Sequence, residues 1–219
     1  MNLASTDTGE LANYHYRDAR PNPSHAYLWP VLDTVIARRP FPIRRAFDIG
    51  CGNGTTSDRL HQQRFDVVGV DVASQGIEIA TRMFPHVQFH VDSVYENLSV
   101  RYGTFPLVVC FEVIEHLYDP RKLIQTIRGL LEPGGTLVLS TPYHGFWKNL
   151  SLAVLDQWDS HHQPLRHGGH VKFFSIDTLS GLLREEGLEI EAMYRVGRSL
   201  PAFAKSMVAV ARRPAESSM

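Results

Sequence analysis

Apolar and polar positions along this chain alternate between two periods. Between residues 45 and 140, short runs rich in Val, Ile, Phe and Leu (45–49, 66–70, 87–91, 107–110 and 136–140) are separated by amphipathic stretches at 55–62, 74–83 and 121–131. The runs predict buried strands, and the stretches, with apolar residues at helical spacing, predict the helices between them. Pro133-Gly134-Gly135 predicts a turn into the fifth strand. Right-handed crossovers in such a βαβ series require a mostly parallel sheet with helices on both faces. The expected fold is therefore α/β, doubly wound and Rossmann-like, with ligands at the carboxyl ends of the strands.

The ends depart from this rhythm. Residues 175–186 predict a helix opening at an N-cap Ser175 and stopping at Gly187, and 188–194 with 206–211 predict an antiparallel strand pair. Ahead of the sheet, 24–39 predicts a helix packed on it, interrupted at Pro30 and broken by Pro40 and Pro42. The expected organisation is one domain over 12–213, with 12–43 as a helical lid or cap and 141–174 as a substrate-side insertion. The polar ends 1–11 and 214–219 read as flexible tails.

Composition narrows the function classes. With 22 Lys+Arg against 23 Asp+Glu, signs interspersed and a formal charge of −1, the chain lacks the electrostatic footprint of a nucleic-acid or anionic-membrane binder. A small-molecule ligand fits better. No apolar run approaches the ~18 residues of a membrane span and no signal-peptide core opens the chain, so a soluble, cytoplasmic protein is expected. Two cysteines, Cys51 and Cys110, suit a reducing compartment. Of the 11 histidines, His144, His161, His162, His167 and His170 crowd one stretch.

The chemistry concentrates in Phe47-Asp48-Ile49-Gly50-Cys51-Gly52-Asn53-Gly54, where a predicted strand ends in alternate glycines and a helix starts at Thr55. Backbone without Cβ atoms can approach a ligand closely there. A dinucleotide loop needs its third glycine at Thr55, whereas Gly54 comes one residue early. Asp48 would repel a pyrophosphate and welcome an ammonium or sulfonium charge. Asp71-Val72 ends the second strand, where a carboxylate accepts from ribose hydroxyls, and Asp92-Ser93 ends the third, within reach of an exocyclic amine. Each feature alone is also explained by a tight turn or a helix N-cap. Their common register at one sheet edge favours a cationic nucleoside.

Taken as a set, Asp48 to Gly54, Val70-Asp71, Asp92-Ser93, Val109 to Glu112 and Leu131 to Gly135 resemble class I S-adenosylmethionine-dependent methyltransferases. The resemblance implies a seven-stranded sheet with an antiparallel last strand, and S-adenosylmethionine as cofactor. It places the methionine moiety on Gly50 and Gly52, the ribose on Asp71 and the adenine on Asp92, with Asp48, Cys51, Gly54, Val72 and Ser93 as further cofactor contacts. Phe111-Glu112-Val-Ile-Glu115-His116 looks like the equivalent stretch of the O-methyltransferases of ubiquinone biosynthesis. This implies a cofactor contact for Phe111 and a divalent ion on Glu112, Glu115 and His116, whose spacing would share one helical face. Glu115 and His116 could equally cap or orient the cofactor loop.

The acceptor is expected on the insertion. His170, His144 and His116 are the candidate bases, and Tyr14, Tyr16, Tyr143 and Trp147 the candidate substrate contacts. The activity implied is methyl transfer to a small molecule, O-methylation first. Methylation of a saccharide, lipid or peptide intermediate, or a silent cofactor-binding subunit, are the alternatives.

Overall fold

A computed structural model describes residues 16, 18–162, 164–165 and 168–215. The expected tails fall outside the described residues, apart from Pro214 and Ala215, as does Tyr14. Seven strands form one sheet in the order β3-β2-β1-β4-β5-β7-β6. They are β1 (Arg45–Ile49), β2 (Asp66–Asp71), β3 (Gln88–Val91), β4 (Phe105–Phe111), β5 (Leu131–Pro142), β6 (Glu189–Val196) and β7 (Ser206–Arg212). The first five run parallel, and β7 is inserted antiparallel between β5 and β6. This is the expected doubly wound sheet.

Every residue of β4 is buried. Phe105, Val108 and Cys110 face one core, and Leu107, Val109 and Phe111 face the other. Apolar groups on both faces are what a helix-covered central strand requires. The first core is closed by α5 (Pro120–Leu130) and α8 (Ile176–Glu185), through Leu123, Ile127, Leu179 and Leu183 among others. The second is closed by α1 (His25–Arg38), whose Leu28, Leu32, Val35 and Ile36 stay buried although Pro30 lies inside the helix. Packing of that apolar face outweighs the backbone hydrogen bond lost at the proline.

The remaining helices are α2 (Thr55–Gln62), α3 (Ser74–Met83), α4 (Leu98–Tyr102), α6 (Phe146–Val154) and α7 (Trp158–His162). The predicted Pro-Gly-Gly turn is a bulge within β5: pairing jumps from Phe105↔Leu131 to Leu107↔Thr136, and residues 132–135 loop out. There Gly134 takes φ +81 and donates its N–H to the Arg213 carbonyl. Ser175 caps α8 in a capping box with Thr178, as its sequence implied. Among the described residues, no helix is long and apolar enough to cross a membrane.

Gly54 has a packing role. It caps α2 at φ +81, and a Cβ there would lie 2.7 Å from both Ala80 Cβ and the Phe89 ring. The Phe89 ring also covers Gly69, so glycines of the loop and of β2 make the bed on which β3 rests. Gly54→Ala adds left-handed strain to this overpacking and should destabilise the fold by about 2–4 kcal/mol. The check is a denaturant midpoint; Gly134→Ala, where a Cβ would meet nothing within 4 Å, should cost less.

Candidate functional site

The carboxyl ends of β1 and β4 part where their connections run to opposite sides of the sheet, and a cavity of about 260 Å³ opens there. Asp48, Gly50, Cys51 and Gly52 line it from β1 and its loop, Asp71 and Val72 from β2, Asp92 and Ser93 from β3, and Phe111 from β4. Gly54 does not line it, which corrects the sequence expectation for that residue. The loop is tied back by the Gly50 and Cys51 N–H groups, which both donate to the Val70 carbonyl. Gly50 at φ +76 leaves no room for a side chain, because a Cβ would lie 2.2 Å from Val113 Cγ2.

The cavity is acidic. Asp71 accepts from the Gly52 N–H at 2.9 Å and from the Ala73 N–H at 2.8 Å, so its two oxygens bridge the glycine loop and the start of α3. Asp48 is buried and accepts from the Ser57 hydroxyl at 2.6 Å. Burial pushes its carboxyl up to about 7, the Ser57 bond pulls it back, and Asp71 raises it further. Burial also raises Asp71, against the backbone donors that lower it. Among the described residues, neither acid forms an ion pair with a basic side chain. Asp92 differs: one of its oxygens is held by Arg101 and by the Tyr102 hydroxyl. A buried acid, Asp48, and a half-buried one, Asp71, facing a cavity without a counter-cation fit a sulfonium nucleoside and would oppose a pyrophosphate.

Glu112, Glu115, His116 and His170 also line the cavity. The shared helical face expected for the first three is not formed. Glu112 ends the strand region at φ +55, and only Ile114–His116 makes a helical turn, of 3-10 type. Glu112 points to the sheet instead, accepting from Ser140 Oγ at 2.7 Å and Ser206 Oγ at 3.3 Å. Burial raises it to about 7 against those two bonds and the Lys148 charge. Glu115 accepts from Thr141 Oγ1 at 2.9 Å through Oε2, while its buried Oε1 has no hydrogen-bond partner. Its carboxyl lies well above the usual range, from burial first and Glu112 second. His116 Nε2 is 3.9 Å from that Oε1, and its ring meets His170 edge-on at 4.9 Å. One ligand atom each from Glu115, His116 and His170 lie within 4.8 Å of one another. The ligand set that this geometry fits therefore replaces Glu112 with His170.

Three expected acceptor-side residues lie elsewhere. Tyr143 is buried, with its hydroxyl against the backbone of Gly145. Trp147 is 59% exposed on α6 beside Phe146, and His144 is buried against His162 and Phe173. None of the three lines the cavity, because the chain after β5 turns away into α6. Tyr16 does line it, over the bare backbone of Gly52 and Gly76, where added Cβ atoms would come within 2.4 and 2.8 Å of the tyrosine. Sequence reasoning missed Asn53, whose amide donates to the carbonyls of Asp18 and Arg20 at 2.9 Å each and so holds the N-terminal segment on the loop. It also missed His25, which lines the cavity and stacks on Trp29. An asparagine inside a glycine loop was the available signal for the first; nothing in the pattern pointed to the second.

A glycine loop followed by acids at successive strand ends, under a sheet with an antiparallel strand inserted near its edge, defines the class I S-adenosylmethionine-dependent methyltransferase fold. A family model described as a methyltransferase domain matches residues 15–193, and the chain belongs to that family. It is 37% identical over 129 residues to a ubiquinone biosynthesis O-methyltransferase of Xanthomonas campestris pv. campestris, covering 57% of this chain and 54% of that protein. The chain thus spans about half the length of that relative. A protein of the same name from Ralstonia nicotianae is 26% identical over 199 residues, covering 85% of this chain and 83% of its own. Among solved structures, a protein of Pyrococcus horikoshii OT3 superposes with a TM-score of 0.69 at 20% identity, covering 90% of this chain and 94% of that one.

The raised Asp48 carboxyl makes a pH signature. A sulfonium beside it favours the carboxylate, so binding below pH 7 releases a proton. Affinity for S-adenosylmethionine should then rise with pH, by up to about tenfold per unit, until it levels off above 7. S-adenosylhomocysteine, which keeps the α-ammonium but lacks the sulfonium, should show a smaller rise. Calorimetry of both ligands at pH 6 and 8, in buffers of different ionisation heat, measures this, and Asp48→Asn should abolish the difference.

Proposed function

We propose that the protein transfers a methyl group from S-adenosylmethionine to a small-molecule acceptor, most directly to a hydroxyl oxygen. The carrying observation is the pair of acids without a counter-cation, buried Asp48 and half-buried Asp71, beside a glycine loop in a cavity that His116 and His170 also line. Bound S-adenosylmethionine supplies an activated methyl on a sulfonium, so the chain need supply only alignment and a proton acceptor. Asp71, already fixed by the Gly52 and Ala73 N–H groups, keeps a lone pair on each oxygen for the ribose hydroxyls. Asp92 keeps Oδ1 for the adenine side, with Ser93 beside it. Phe111 supplies an apolar wall. Tyr16 covers the loop and excludes water from it.

On the acceptor side, the His170 imidazole orients the hydroxyl and takes its proton as the methyl leaves sulfur. With Nδ1 donating to the Gly169 carbonyl at 3.2 Å, His116 turns Nε2 toward Glu115 and supports that arrangement. The names of the curated relatives favour a phenolic quinone precursor within this class. A second reading rests on the unpartnered Glu115 Oε1: Glu115, His116 and His170 would hold a divalent ion, which supplies Lewis acidity toward the acceptor oxygen. One oxygen and two imidazoles suit zinc or manganese better than magnesium.

Direct binding tests the cofactor. Micromolar affinity for S-adenosylmethionine, none for a nicotinamide dinucleotide, and transfer of labelled methyl to a phenol or catechol in a substrate screen are expected. Binding of the dinucleotide alone would overturn the reading.

With an acceptor in hand, His170→Ala should lower turnover by about 10²–10⁴ while cofactor affinity stays within a few fold. A packing role for His170 would lower the melting temperature and leave turnover nearly intact. Exhaustive chelation of the wild-type protein separates base from ion: activity persists in the first reading and is lost in the second.

A further inference from the structure

Outside the cavity, the connection after β5 and the helix α7 bring three imidazoles together. One ring nitrogen each of His144, His161 and His162 lies within 4.8 Å of the other two. His144 is 9% exposed. Its ring stacks on His162 with centroids 5.6 Å apart, and Phe173 meets both rings edge-on, at 5.0 Å from His144 and 4.9 Å from His162. The Nε2 atoms of His144 and His162 are both buried without a hydrogen-bond partner. Buried polar atoms left unpaired are costly, and two of them within one cluster of three imidazoles are a reason to look for a ligand.

We propose that His144, His161 and His162 form a binding site for a divalent transition-metal ion of the zinc class, with three imidazole ligands and an open fourth position. None of these residues lines the cofactor cavity, and the proposal does not rest on the methyl-transfer reading. The donor set selects the ion. With no oxygen ligand among the three, magnesium and calcium are disfavoured, whereas zinc, cobalt, nickel and copper bind imidazole well. A tetrahedral ion about 2.0–2.1 Å from each nitrogen needs them about 3.3 Å apart. Side-chain rotations of the exposed His161 and half-buried His162 can draw the rings together.

The surroundings keep the ligands in their binding form. Burial lowers His144 to about 3, with the Lys148 charge next in weight, and burial lowers His161 and His162 as well. Neutral imidazole is the species that ligates metal. Lys148, whose ammonium donates to the Tyr143 carbonyl at 2.8 Å, also opposes weakly held cations, so only strong nitrogen–metal bonds compete. An ion there would pin α7 onto the segment between β5 and α6, fixing the substrate-side insertion at its centre.

The test uses the full chain without an affinity tag, stripped by chelator and titrated with cobalt(II) and zinc(II). Wild type should give the visible absorption of low-coordinate cobalt, displaced by zinc, and a melting temperature raised by zinc. His161→Ala and His162→Ala should each weaken that site by about tenfold to a hundredfold or more and lose its share of both signals, while His170→Ala keeps that share of the cobalt spectrum. Because His161 is exposed, its variant should melt with the metal-free wild type, which separates ligand loss from misfolding. Absence of micromolar zinc binding by wild type would overturn the proposal. So would unchanged binding in His161→Ala and His162→Ala, or loss of the spectrum in His170→Ala.

Discussion

The site depends on a topological constraint. Connections from β1 run outward through β2 to β3, those from β4 run the other way to β5, and both sets must be right-handed. The loops leaving β1 and β4 therefore diverge, and the backbone cannot fill the space between their carboxyl ends. Most of what lines the cavity is there because a strand delivers it to that edge: Asp48 and the glycine loop from β1, Asp71 from β2, Asp92 from β3, and the turn carrying Glu112, Glu115 and His116 from β4. A parallel sheet buried on both faces leaves only its ends for chemistry.

Converging strand ends also concentrate like charge. Asp48, Asp71, Glu112 and Glu115 all have carboxyls raised by burial, and each is held by neutral donors: Ser57, the Gly52 and Ala73 amides, Ser140 with Ser206, and Thr141. Hydroxyls and amides position a carboxylate without neutralising it. An incoming cation can therefore draw these groups into their ionised form, whereas Asp92 already has its counter-charge in Arg101.

Most of the fold was legible because its elements are locally consistent: period-two and helical stretches alternate with their own stops, and β1, α2 and α3 fall at the residues the pattern marks. The cofactor edge was legible because acid and glycine follow strands at fixed places. What was not legible depended on long-range packing. Gly54 reads as one more loop glycine until Phe89, 35 positions on, is seen above it. The spacing of Glu112, Glu115 and His116 implies a helix only if the turn begins at Glu112, and the positive φ that delays it comes from the exit of β4. Likewise, no local signal shows that the chain after β5 turns outward, carrying Tyr143, His144 and Trp147 away from the cavity.

The segment leading from His170 to α8 is sewn to the sheet edge at two places. Val171 and Lys172 both donate to the Glu115 carbonyl, and the Phe174 carbonyl accepts from the His144 N–H next to the Tyr143↔Phe174 bridge. The intervening stretch of α6 and α7 thus departs from and returns to fixed backbone anchors. A stretch bounded in this way is a module in the evolutionary sense. Its length and side chains can vary, as those of surface loops do, while the backbone anchors hold the register of His116 and His170, so the stretch can be remade without rebuilding the sheet.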